Sequence, residues 1–163
     1  MNRKFSGLMI LGVLSGSALG ADATFEKNYR TLDRLIYQLD LVGIQQFWQR
    51  NTDSTFQAQV GGRTYTAEAF MSAMISQLKT VRKVDGAKSQ IMKQSVSGNR
   101  VVLEVLSVQS MRMPHSNNPK KVSNWRFRST TQDTWLKVGN DYRLVEIKSR
   151  KEEAWMDGKA IKL

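Results

Sequence analysis

Apolar positions in this chain recur first at helical and then at strand spacing, and the change of period divides it. Phe25, Tyr29, Leu32, Ile36 and Leu39 follow one another at four, three, four and three residues, the rhythm of one buried helical face. That rhythm predicts a helix over 24–42, with Glu26 in the first turn, where the helix dipole favours an anion, and Gly43 as the C-terminal stop. A short helical turn over 44–48 follows. Asn51-Thr52-Asp53-Ser54 is turn composition, 55–60 reads as a short strand, and Gly61-Gly62 breaks it. Ala67, Phe70, Met71, Met74, Leu78 and Val81 mark the inner face of a second long helix over 66–81, with Thr66 as its N-cap and Glu68 in its first turn.

From residue 87 the period becomes two. A weak strand over 87–96 leads into a Ser97-Gly98-Asn99 hairpin turn. In the strong strand over 100–113, Val101, Leu103 and Val105 share one face and Val102, Leu106 and Val108 the other, so its first half reads as buried on both sides. A loop over 114–121 precedes a strand whose parity is plain. Trp125, Phe127, Ser129, Thr131, Asp133 and Trp135 face one way; Arg126, Arg128, Thr130, Gln132 and Thr134 face the other. Gly139-Asn140-Asp141 turns the chain, and a last strand from Tyr142 runs through a bulge towards Trp155 until Asp157-Gly158 ends it. Helices followed by hairpin-linked strands specify an α+β domain with helices on one face of an antiparallel sheet.

Composition narrows the chemistry. The 163 residues are 40% hydrophobic, enough for one domain with its own core and no staples. Cysteine is absent, which removes disulfides, thiolate nucleophiles and thiolate metal sites. His115 is the single histidine, in a Pro- and Asn-rich loop, so neither a His-based metal cage nor a Ser-His-Asp triad is available, and no metal site or cofactor is expected. Met71 and Met74 read as core filler. The net charge is +11; losing Arg3 and Lys4 brings it to +9 for a cut after Gly20, and losing Asp22 with them leaves +10 for a cut after Ala23, a balance that suits anionic partners. The basic residues are scattered with no long run, so nucleic acid is not an expected partner.

Residues 1–23 carry the pattern of a cleaved secretory signal. Arg3 and Lys4 are followed by the apolar LMILGVL, and small residues offer cuts after Gly20 or Ala23. The expectation is one domain over 24–163, periplasmic or secreted, with no membrane span once the signal is removed.

The long first helix ending in Leu41-Val42-Gly43-Ile44-Gln45-Gln46-Phe47-Trp48, the Asn51–Ser54 segment, the second helix, and above all the run from Gln132 to Leu144 (QDTWLKVGNDYRL) resemble the SnoaL-like, ketosteroid-isomerase-like superfamily, the nuclear transport factor 2-like fold. The likeness covers about residues 24 to 157. It implies a curved antiparallel sheet wrapped round helices into a cone with a central pocket. Enzymes of that superfamily place an Asp base and a Tyr or acid oxyanion donor in the pocket. Matched residue by residue, Asp53 falls near the base position while also being ordinary turn sequence. Tyr29 or Tyr37 stands for the donor, only Tyr29 sharing the main apolar face. Asp133 has the inward parity of a pocket acid and also belongs to the structural strand pattern. Trp48, Tyr65, Trp125, Phe127 and Trp135, with Tyr142, are either pocket lining or core.

Three functions follow. A binding protein for a small apolar or aromatic molecule predicts a closed-ended pocket lined by aromatics, with no charge pair of strongly displaced pKa. An isomerase- or dehydratase-type enzyme predicts a buried carboxylate within hydrogen-bond reach of a Tyr. An interaction module, either a homodimer through the sheet or a dock for an anionic envelope partner, predicts a filled cone and a contiguous Arg/Lys patch. The first is the leading expectation, with no catalytic set identified.

Overall fold

The computed structural model describes residues 23–162. The expected signal segment lies outside the described residues, except for Ala23, which opens the first helix. The elements run α1 (Ala23–Tyr37), α2 (Leu41–Asn51), β1 (Thr52–Val60), β2 (Arg63–Thr66), α3 (Ala67–Leu78), β3 (Lys83–Ser97), β4 (Arg100–His115), β5 (Asn118–Val138), β6 (Asp141–Met156) and β7 (Lys159–Ile161).

The single long helix expected over 24–42 is two helices. Leu39 takes φ 54°, a left-handed conformation that ends α1, and the Asp40 carboxylate then accepts from the Gly43 N–H at 2.8 Å to cap α2. Gly43 is therefore not a stop but a first-turn residue of α2. A Cβ there would lie 2.4 Å from Asp40 Oδ2 and 2.6 Å from Leu35 Cδ2, so the elbow closes only over a bare Cα. Asn51 ends α2, and β1 starts at once with Thr52, where a turn over 51–54 was expected. Gly61 and Gly62, both at positive φ, make the tight turn from β1 into β2, a strand absent from the sequence reading. Thr66 caps α3 through Ala69 N–H, as its position before the apolar run required.

The strands form one seven-stranded, curved, unclosed sheet in the order β2-β1-β6-β5-β4-β3, with β7 also on β6. Pairing is antiparallel except where β1 lies parallel to β6. The expected loop over 114–121 shrinks to a turn, because β4 extends to His115 and β5 begins at Asn118. Asp157-Gly158 is not an end but a second tight turn, into β7. β6 carries the anticipated bulge at Arg150, between the Thr130–Lys151 and Thr131–Ser149 pairs, and another at Val145. β4 is buried on one face only: Val101, Leu103 and Val105 are buried, whereas Val102, Leu106 and Val108 are half-buried.

The inward face of the sheet and the three helices enclose the core. α1 packs on β3 and α2, α2 on α3 and β6, and α3 on β1 and β2. Phe25, Tyr29, Leu32 and Ile36 are buried as the helical spacing demands, and every second residue of β5 from Ser123 to Trp135 is buried. The architecture is the α+β cone expected from the chain.

Candidate functional site

Two elements bring the interior polar groups together. α1 presents Tyr29 on its buried stripe, and β5 presents Asp133 two residues before Trp135 on the inward parity. The Tyr29 hydroxyl donates a short hydrogen bond to Asp133 Oδ2, joining residues 104 positions apart. Burial, the largest effect, pushes the Asp133 carboxyl up to about 6; the Tyr29 and Thr131 hydroxyls pull against that shift. Burial also raises Tyr29 well above the ordinary phenol range, and the neighbouring Asp133 charge adds to it. The pair holds its hydrogen bond in the Tyr-OH, carboxylate form.

Around the pair, Asn28, Leu32, Phe47, Trp48, Asn51, Leu144 and Ile147 complete the wall of a small interior cavity with Trp135. Its volume is about 10 Å³. That is room for at most one water. Trp135 meets Phe25 at 5.5 Å and Tyr29 edge-on at 6.3 Å between ring centroids. Among the described residues, Asp133 Oδ1, Trp48 Nε1 and Trp135 Nε1 are buried without a close hydrogen-bond partner, although Thr131 acts on the Asp133 carboxyl and Trp135 on the Tyr29 hydroxyl. All three belong to residues of this cavity wall: one acceptor and two donors.

The other sequence candidates lie elsewhere. Asp53 is at the surface, where its carboxylate accepts from the Thr55 N–H at 2.9 Å and the Thr55 hydroxyl at 2.7 Å; these bonds hold its pKa below the ordinary value. Trp125 and Phe127 stack on each other at 5.8 Å further along β5, outside the cavity wall. Tyr65, half-buried on β2, packs edge-on against Phe70. Tyr37 is exposed. Of the five aromatic candidates, the cavity takes Trp48 and Trp135. Asn28, Phe47 and Asn51 were not expected at the pocket, although Phe47 and Asn51 lie in segments that carry the family resemblance. Asn28 precedes Leu32 by one helical turn, so strict periodicity points to it; Asn51 is placed only by the α2–β1 junction, where its amide donates to Phe47 O at 2.7 Å.

No family model and no curated protein matches the chain. Solved structures do. A protein from Kribbella flavida is similar with a TM-score of 0.61 at 10% identity, over 80% of this chain and 91% of that one. One from Novosphingobium aromaticivorans, provisionally named a scytalone dehydratase, gives 0.59 at 9% identity over 82% and 85%. An NTF2-like protein from Cytophaga hutchinsonii gives 0.54 at 12% identity, over 88% of this chain and all of its own.

The chain has the NTF2-like fold. At such identities the likeness is one of architecture, and function rests on the residues of the site. Those residues combine features assigned to different functions. A buried carboxylate within hydrogen-bond reach of a tyrosine is present, the feature expected of an enzyme, and the cavity beside it is small, nearer to the filled cone expected of an interaction module. Among the described residues, no three His, Cys, Asp or Glu side chains come together to hold a metal ion, and no helix is long and apolar enough to cross a membrane.

Proposed function

We propose that this NTF2-like domain is an exported protein that holds one compact, largely apolar molecule between α1, α2 and β5, with the Tyr29–Asp133 pair as its polar anchor. The supporting observation is that Asp133 Oδ1, Trp48 Nε1 and Trp135 Nε1, all buried without a close hydrogen-bond partner among the described residues, belong to residues that line one cavity. Each such group costs about 1–3 kcal/mol when left unsatisfied, so three in one place favour a ligand that satisfies them. A hydroxyl or carboxamide does so: its donor meets Asp133 Oδ1 and its acceptor meets the indole N–H groups. Leu32, Phe47, Leu144 and Ile147 surround an apolar body. Because the cavity holds about 10 Å³, the ligand is admitted by a shift of the α1–α2 elbow away from β5.

Native mass spectrometry of residues 24–163, purified after export, tests this directly. The expected result is an adduct of fixed mass, or one formed on adding a compact aromatic alcohol such as 2-naphthol, that is lost in Asp133→Leu. A bare mass throughout the alcohol series, with no shift in unfolding temperature, rejects the reading.

A second reading, an isomerase- or dehydratase-type enzyme, has one observation in its favour. The carboxyl of Asp133 lies near 6, close to the pH at which a general base works, with a phenol already hydrogen-bonded to it. In that reading Asp133 takes a proton from carbon and Tyr29 donates to the developing oxyanion. Asp133→Asn then abolishes turnover of an enolisable compound while leaving its binding in place; unchanged turnover removes the enzyme.

A further inference from the structure

The outward face of the sheet separates charge from the inward one. Strand registers place Lys88, Val108, Arg128 and Glu153 in one row, and Gln90, Leu106, Thr130 and Lys151 in the next. Lys93, Glu104, Gln132 and Lys148 form a third, Ser95, Val102, Thr134 and Glu146 a fourth, and Gly86, Ser110, Arg126 and Trp155 lie at the far end. The Arg150 bulge adds its side chain, bonded to Gln132 Oε1, to the same face. These rows therefore carry seven cations against three carboxylates, and the inward positions that alternate with them on the same strands carry no Lys or Arg. Glu153 takes Lys151 at 3.0 Å and Arg128 at 4.0 Å, and Glu146 takes Lys148 at 2.8 Å. Among the described residues Lys88, Lys93, Arg126 and Arg150 make no ion pair with a carboxylate.

Two open hollows mark the ends of this face. One, about 360 Å³, is bordered by Arg126, Trp155, Asn124 and Ser110. The other, about 330 Å³, is bordered by Lys93, Arg150, Gln132, Ser95 and Glu104. Ser110 and Glu104 are six residues apart on β4, so the hollows lie roughly 20 Å apart along the strand, with the rows of Arg128 and Lys151 between them. Arg126 lies over the half-buried Trp155 ring at 5.7 Å, which sets a cation beside a flat apolar surface.

We infer that this face is a docking track for an extended acidic polysaccharide, a chain of uronic-acid rings. Such a ring presents an apolar face for Trp155, hydroxyls for Asn124, Ser110, Gln132 and Ser95, and a carboxylate for each cation. Single-stranded nucleic acid fits less well, because it stacks successive bases on successive aromatics and these rows carry one, Trp155. A bilayer fits less well too, since Val102, Leu106 and Val108 sit half-buried between the charged side chains instead of projecting. The track is on the opposite face of the sheet from the Tyr29–Asp133 pair and is independent of it.

Titration calorimetry of the full mature chain with octameric oligogalacturonate is the test. Binding is expected at low salt, weaker at about 0.3 M salt, and absent with neutral malto-octaose. Lys93→Gln combined with Arg150→Gln, both exposed sites, weakens it about tenfold or more, and Trp155→Ala does so separately. Circular dichroism verifies that each variant is folded, and Asp133→Asn leaves the affinity unchanged. The inference is overturned by no binding at low salt, by binding that the outward substitutions leave intact, or by an octathymidylate or phosphatidylglycerol vesicles binding the same residues more tightly.

Discussion

Asp133 is a carboxylate shut away from water and hydrogen-bonded to the Tyr29 phenol, and this makes its protonation a stability variable. Its folded pKa, about 6, is above its ordinary value of 3.8. The native state therefore holds the proton more tightly than the unfolded chain does. The resulting stabilisation is complete below the unfolded pKa and is lost as pH rises through the folded one; the difference is worth about 3 kcal/mol. Asp33 on α1 acts in the same direction, because burial pushes it to about 8. Asp53, Asp85 and Asp157 act oppositely: hydrogen bonds, with salt bridges at Asp85, hold them below 3.8, so their contribution disappears as pH falls through their folded values. Urea unfolding between pH 4 and 8 is expected to show stability declining with rising pH, and Asp133→Asn to flatten the portion between 4 and 6 and to be the more stable protein at pH 8. A wild-type curve that rises over that range contradicts the burial of the acid. Tyr29→Phe removes the one hydrogen bond to Asp133 Oδ2 and is expected to cost about 1–3 kcal/mol at pH 8, read from the same urea midpoints.

Among the elements, the α1–α2 elbow is the joint most exposed to a single substitution. Leu39 in the left-handed region, Asp40 on the Gly43 N–H and the bare Gly43 Cα form one unit. Gly43→Ala drives a methyl into the Asp40 carboxylate and Leu35, for an expected loss of about 1–3 kcal/mol in thermal or urea unfolding. Asp40→Ala loses the cap and about 1 kcal/mol. The helical stripe of α1 and the alternation of β5 were legible because each is a local rhythm that the core simply accepts. The elbow was not. Apolar residues continue through Leu39, and nothing in their spacing reports that a leucine adopts positive φ. The hairpins at Gly61-Gly62 and Asp157-Gly158 carry turn residues in plain sight, yet β2 and β7 have four and three residues, too few for a period to register.

At the scale of the whole molecule, one sheet separates two environments. Its inward face supports a nearly closed interior and its outward face carries a net positive charge. Amide exchange followed by mass spectrometry is expected to find the middle of β5 slowest, since β4 and β6 bond it on both sides, and α1 faster, since it rests on the sheet through side chains alone. Protection of α1 on adding 2-naphthol, with β5 unchanged, is the signature of the elbow admitting a ligand. Exchange in α1 as slow as in β5 argues for a permanently closed cone.

The sequence by itself determined the α+β class, the inward set of β5, the Thr66 cap and the turns at Gly61-Gly62, Gly98 and Gly139, because these depend on side-chain period and local hydrogen bonding. It also placed Tyr29 and Asp133 on inward faces. Tertiary structure decided that these two meet across 104 residues, that Asp53 stays at the surface, and that Trp125 and Phe127 stack outside the cavity. It also decided that scattered basic residues share one face. Those outcomes depend on strand register and on where a helix lands on a curved sheet, and both are set by packing between parts of the chain that no local pattern connects.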